Sequence, residues 1–234
     1  GSNAPVLAVS IGEPAGIGGE IILKAWAQRS NANPFFVIDD PERLKKITNQ
    51  IKLKVPIQTI SSPSETLQVF SQALPVFPVE IVAPLTAPVV PGQLDAANAK
   101  AVIASIEIAV KFIIEGKADA IVTNPIHKKT LYDAGFLYPG HTEFLAFLAN
   151  LKTSPIMMLV TDNLRVVPVT IHQSLRDAID TLEISTITEA GRITATALRQ
   201  DFGLTQPRLA VAGLNPHAGE NGTMGNEETN IIAP

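Results

Sequence analysis

An α/β fold with a largely parallel sheet and helices on both faces is predicted by three observations. Short apolar runs alternate with stretches of helical spacing along most of the chain, a glycine-rich break joins the first run to the first helix, and the second run closes on acidic residues and proline. With 234 residues, 46% hydrophobic and 17% charged, the chain can bury a substantial core, as one large domain or two small lobes.

The elements follow in order. Residues 1–4, GSNA, read as an expression scar and are set aside. PVLAVSI (residues 5–11) is a strand that breaks at Gly12, and residues 20–27 resume with helical spacing. FFVI (residues 35–38), ending in Asp39, Asp40 and Pro41, is the second parallel strand of a βαβ unit. The proline-rich region 51–91 reads as short extended pieces. From 96 to 115, Ile103, Ile106, Val110 and Ile113 recur on one face, with Asp95 as N-cap and Gly116 as C-cap, which predicts the clearest helix. ADAIVTN (118–124) is a strand, and residues 142–151 return to helix. Residues 155–160, 165–171 and 208–213 read as further strands, with a long helix through Ile187, Ala190, Ile193 and Ala197 before the last.

Composition excludes several functions. Eighteen Lys and Arg against 22 Asp and Glu give a net charge of -4, which offers no footprint for a nucleic-acid backbone. No apolar run approaches a membrane span, and no cysteine is present, so His, Asp and Glu are the only metal ligands to consider. The cytoplasm is the natural compartment. The low charged fraction is consistent with some apolar surface being covered by a partner subunit.

All four histidines stand just beyond an apolar run or at the start of the next element: His127, His141, His172 and His217. In a parallel sheet the carboxyl ends of the strands face the ligand crevice. The competing explanation is that polar residues fall in loops and loops flank strands. His172 and His217 end two strands separated by a helix, so a shared divalent metal is one reading. Two ligands fall short of the three that a catalytic zinc-type site takes. GEPAGIGGE (12–20) could hold an anion at a helix start or could be a tight turn with close packing; it matches neither GxGxxG nor a P-loop. In PGHTEF (139–144), His141, Thr142 and the first N–H groups of a helix could hold a phosphate, unless Thr142 only caps its helix. Ser174 and Asp177 have a capping-box-like spacing. Lys128 could assist an anionic substrate, a solvated lysine being the default.

Taken in order, GEPAGIGGE, TNPIHK, GHTEFLA, IMMLVTDNLRV, TIHQSLRD and GLNPHAGENG resemble the 4-hydroxythreonine-4-phosphate dehydrogenase family of vitamin B6 (pyridoxal phosphate) biosynthesis. The resemblance implies an isocitrate/isopropylmalate dehydrogenase-like α/β fold over residues 5–234, in two lobes around a cleft with a boundary near 125–140. It implies a homodimer with the active site at the subunit interface. It makes His172 and His217 ligands of a divalent metal (Zn, Mg, Mn or Co), and His141 and Thr142 contacts to substrate and its phosphate. The family's third metal histidine and its later substrate-binding lysine, asparagine and arginine have no counterpart here, and the sequence stops at EETNIIAP where the family continues, so the C-terminal part is expected to be absent.

The implied reaction is oxidation of 4-phosphooxy-L-threonine at C3 by NAD or NADP, then decarboxylation to 3-amino-2-oxopropyl phosphate, with the metal polarising the hydroxyl. No ribose-reading acid after a true dinucleotide fingerprint chooses between the two nicotinamide cofactors. Two rival readings stay open: a dehydrogenase of 4-phospho-D-threonate or 4-phospho-D-erythronate within the same family, and a noncatalytic metal- or phosphate-binding module.

Overall fold

The computed structural model describes residues 4–234; three of the four residues of the expected scar lie outside that range. The chain divides into a first unit ending at Thr153 and a second, Ser154–Pro234.

The first unit is the expected parallel sheet. Its elements are β1 (Leu7–Ser10), α1 (Gly18–Ala27), β2 (Phe35–Asp39), α2 (Pro41–Gln50), β3 (Ile57–Thr59), α3 (Thr66–Val69), β4 (Leu74–Pro78), α4 (Ala99–Ile114), β5 (Ala120–Val122), α5 (Lys128–Asp133) and α6 (His141–Leu148). The strands lie in the order β3-β4-β2-β1-β5, every pair parallel, with Leu7 opposite both Phe35 and Ala120. Side chains alternate between faces along each strand, so a sheet covered on both sides needs apolar residues at every position. Ala8, Phe36 and Ile38 pack into one core with Val102, Ile106 and Ala109 of α4. Val9, Phe35 and Val37 pack into a second core with Ile22, Leu23 and Trp26 of α1 and Leu44 of α2. Helices therefore cover both faces.

Two boundaries were set by turn chemistry. Asp40 caps α2 by accepting from the N–H groups of Glu42 and Arg43, with Pro41 at the first helical position. Asp95 caps as expected, accepting from the N–H of Ala97, but it opens a 3₁₀ turn (Ala96–Asn98) that leads into α4. The proline-rich region holds more order than its composition suggests. β4, LPVFP, sits between β3 and β2 with Leu74 and Val76 fully buried. Proline inside a run ordinarily argues for an edge strand, which is why this interior strand is hard to read from sequence.

The division between units falls at 153/154 rather than near 125–140. The reason is aromatic: Phe136, Tyr138 and Phe144 stack with ring centroids 5.0–5.3 Å apart, and Phe136, Phe144 and Leu131 belong to the core under α4. That packing holds α5 and α6 in the first unit.

The second unit departs from the expected continuation of parallel strands. It contains β6 (Leu159–Val160) and β7 (Arg165–Val166), paired antiparallel, then α7 (Leu175–Asp180) and α8 (Ile184–Gln200). The predicted strand 208–213 forms no regular element and has no ladder partner among the described residues, and Leu209 and Val211 on it are 45% and 60% exposed. An apolar run supplies a strand's burial energy but not its neighbour, and no strand pairs with it among the described residues. Ser174 caps α7 as the spacing suggests, accepting from the N–H of Asp177 and donating to its carboxylate. α8 turns Ala190, Thr194 and Leu198 inward at fourfold spacing.

Candidate functional site

The glycine-rich loop resolves toward packing. The N–H of Glu13 donates to Pro125 O, joining the loop after β1 to the segment after β5. A β-carbon on Gly12 would lie 2.6 Å from Asn124 Cβ, and one on Gly18 would lie 3.1 Å from Asn124 Cγ. Asn124 in turn donates to Ser10 O. Two further loop amides are engaged within the loop: Ala15 N–H donates to the Glu13 carboxylate and Gly16 N–H to Glu13 O. An anion at those two amides would displace the buried Glu13 carboxylate, and the close approach of Asn124 accounts for Gly12 and Gly18 by packing.

The four histidines have different surroundings. His127 is the N-cap of α5: its Nδ1 accepts from the N–H of Thr130 and shares a 2.7 Å hydrogen bond with that residue's hydroxyl. Its position at a strand end is therefore explained by capping.

His141 opens α6, whose N-cap is Gly140 with no side-chain cap. The His141 ring is half-buried and its Nε2 has no partner among the described residues. Burial, and secondly the positive charge of Lys128, push its pKa below the usual 6.5 and favour a neutral imidazole. Thr142 caps nothing: the cap position belongs to Gly140, and its hydroxyl has no hydrogen-bond partner among the described residues. Helix starts leave N–H groups without intrahelical acceptors. The first turn of α6 therefore presents free amides, a free hydroxyl and an unpartnered ring nitrogen together.

The pH sign at His141 is testable. Between 6.5 and its lower native value, the unfolded chain binds a proton that the folded chain refuses, so stability falls as pH drops through that window. Urea unfolding from pH 7.5 downward should show a shallower loss for His141→Gln than for the parent; equal slopes would contradict the burial of this ring.

His172 and His217 both lie in the second unit and both are exposed. His172 has φ 56°, and Ala218, Glu220 and Asn221 beside His217 have φ 48°, 43° and 56°. Six non-glycine residues have such positive φ among the described residues, and these are four of them. Strain of this kind concentrates at functional sites. The loop GLNPHAGENG is held by its own polar groups: Asn215 accepts from His217 N–H, and Glu228 accepts from Leu214 N–H. Gly219 (φ 73°) passes so close to Gly225 O that a β-carbon would sit 2.7 Å from it. Proline and glycines thus shape a turn that displays one imidazole. No group of three or more His, Asp or Glu residues placed to hold an ion occurs among the described residues. The two imidazoles alone do not complete a three-ligand metal site.

No helix among the described residues is long and apolar enough to cross a membrane. Comparison with known proteins adds to this picture. Residues 30–234 match the family model described as pyridoxal phosphate biosynthetic protein PdxA. The chain is 46% identical over 234 residues to a 4-hydroxythreonine-4-phosphate dehydrogenase of Methylorubrum extorquens, covering 97% of this chain and 66% of that relative. It is 48% identical to the enzyme of the same name from a Ruegeria species, covering 99% and 68%. Among solved structures, the 4-hydroxythreonine-4-phosphate dehydrogenase of Klebsiella pneumoniae superposes with a TM-score of 0.87 at 36% identity, over 99% of this chain and 70% of that one. The chain thus spans about two thirds of the length of the relatives it matches. With a family match over most of its residues and relatives this similar over nearly all of them, the chain belongs to the PdxA family of pyridoxal phosphate biosynthetic proteins.

Proposed function

We propose that this chain serves a 4-hydroxythreonine-4-phosphate dehydrogenase, oxidising the C3 alcohol of 4-phosphooxy-L-threonine with NAD(P)+ as hydride acceptor. The product is a β-keto acid, so loss of carbon dioxide to 3-amino-2-oxopropyl phosphate follows readily. The observation that carries the reading is the first turn of α6, where Thr142 leaves its hydroxyl free and His141 keeps an unpartnered nitrogen. A phosphorylated hydroxy acid needs donors for its phosphate and a neutral hydrogen-bonding group near its alcohol. Thr142 and the α6 amides supply the first, and His141 supplies the second.

His172 and His217 are proposed as two ligands of a divalent metal, supported by the strained backbone that displays them. The described residues do not complete its shell. A homodimer is proposed as well, supported by the exposed apolar residues of the second unit, such as Leu175 and Val211. The cytoplasm is the proposed compartment.

NADH formation with 4-phosphooxy-L-threonine, 4-phospho-D-threonate and 4-phospho-D-erythronate tests the substrate. The first is expected to turn over fastest, and faster turnover of either rival would refute the assignment. Thr142→Ala should lower kcat/KM roughly 10- to 100-fold, the worth of one hydrogen bond to a charged group. Metal analysis should show less bound metal in His172→Ala and His217→Ala. Metal and phosphate binding without any NADH formation would instead mark a noncatalytic binding module.

A further inference from the structure

The α6 site as described lacks a permanent cation, since Thr142 is neutral and His141 is held neutral, whereas a phosphate is recognised most strongly by charged donors. Lys128, the first residue of α5, stands beside it. Its Cε and Nζ both come within 3.6 Å of the place a β-carbon on Gly140 would occupy, and Gly140 directly precedes His141. Lys128 is exposed and forms no ion pair among the described residues, whereas its neighbour Lys129 is paired with Asp133 at 2.8 Å. A carboxylate oxygen, Glu143 Oε2, approaches the same point to 3.6 Å but forms no ion pair with Lys128 among the described residues. That oxygen and His141 Nε2 are both buried and without partners. An unclaimed ammonium and an unclaimed carboxylate oxygen thus meet beside Gly140, and the same ammonium acts on the His141 ring, whose neighbour Thr142 has an unclaimed hydroxyl.

We propose that Lys128 is a specificity-determining residue of this site: its ammonium takes one oxygen of the substrate's phosphate, while Thr142 and the α6 amides take the others. The assignment rests on the reading of His141 and Thr142 as substrate contacts. It adds a charge that selects phosphorylated over unphosphorylated hydroxy acids. A lysine suits the task as a compact point charge on a flexible stem that closes over an anion after it arrives.

The test uses inorganic phosphate as the probe on the 234-residue chain, following the His141 ring by NMR, with the signal assigned by its loss in His141→Gln. The parent should show saturable shifts. Lys128→Met should weaken phosphate binding roughly tenfold or more, and Lys128→Arg should stay within about threefold of the parent. Without phosphate, Lys128→Met should raise the His141 titration midpoint, because a neighbouring cation has gone. Glu143→Gln, which removes a nearby negative charge, should bind phosphate as well as the parent or better.

An unresponsive parent, undiminished binding in Lys128→Met, an unmoved His141 midpoint, or an equal loss in Glu143→Gln would each overturn the assignment. Enzyme assay separates it from the substrate reading. Lys128-dependent phosphate binding without turnover of 4-phosphooxy-L-threonine keeps Lys128 and removes the substrate; turnover with a KM unchanged in Lys128→Met does the reverse.

Discussion

Asp39→Ala is expected to destabilise the first unit by about 3–5 kcal/mol, the cost of leaving a buried charge without its partner. Asp39 ends β2 and Arg43 lies in the first turn of α2; they are 1% and 5% exposed. Arg43 Nη1 donates to both carboxylate oxygens, at 2.9 and 2.7 Å, and Nη2 donates to Pro14 O at 2.9 Å. One guanidinium therefore fastens the end of β2 to the loop after β1. Without Asp39 that guanidinium stays charged in an apolar setting, because arginine does not deprotonate in proteins.

Arg43→Met should cost less, since the orphaned carboxyl can take up a proton. Burial already pushes Asp39 above 3.8, with Arg43 pulling it back, and removing Arg43 leaves burial unopposed. A raised carboxylate pKa favours the fold fully below 3.8 and loses that contribution as pH rises through the native value. Arg43→Met should therefore lose less stability at pH 4 than at pH 7, whereas Asp39→Ala should not show that relief. The double variant Asp39→Ala/Arg43→Met should recover much of the loss, because two matched apolar groups leave no charge stranded. Urea unfolding at both pH values measures all three, and additive losses in the double variant would show that the pair is not coupled.

The contrast between the two units explains what could be read from sequence. β1 and β2 were legible because a parallel strand covered on both faces is apolar at nearly every position, and FFVI has no alternative fate in a chain of this composition; β5, a partly exposed edge strand, was legible from its apolar run alone. The turn leading into α4 was legible because Asp95 satisfies an N–H two residues on. Both signals are local. Residues 208–213 carry the same apolar signature, yet a strand exists only where another chain segment accepts its hydrogen bonds, and that partner is not written in the run itself. The site behaved likewise. His141 and Thr142 could be picked out from a histidine and a hydroxyl at a helix start, but the capping role of His127 depends on Thr130 three residues away and looks the same at first sight. The loop after Gly12 could be read two ways because glycine serves both close packing and anion binding, and the nearness of Asn124 that favours packing is not written in the loop itself. The nearness of Lys128 to His141 was hidden, since it depends on how residues 134–140 fold back under the Phe136, Tyr138 and Phe144 rings.

Gly12→Ala is expected to cost about 2–5 kcal/mol, and comparison with Gly116→Ala separates the two sources of that cost. Both glycines are left-handed, at φ 71° and 68°, so both substitutions incur the roughly 1–2 kcal/mol of placing a β-carbon beside the following carbonyl. At Gly116 nothing lies within 4 Å of the new atom, and the cost should stop there. At Gly12 the new β-carbon meets Asn124 Cβ at 2.6 Å and the backbone oxygen of Pro125 at 2.8 Å, neither of them the yielding end of a long side chain. Overpacking against such rigid neighbours adds about 1–3 kcal/mol. The only relief is to part the two loops, which would stretch the hydrogen bond from Glu13 N–H to Pro125 O. Because Lys128 follows Pro125 by three residues, the displacement should also weaken phosphate binding at α6, while Gly116→Ala should leave it unchanged. Equal unfolding free energies for the two variants would mean that the loops after β1 and β5 yield freely, and that their interlock does not position the site.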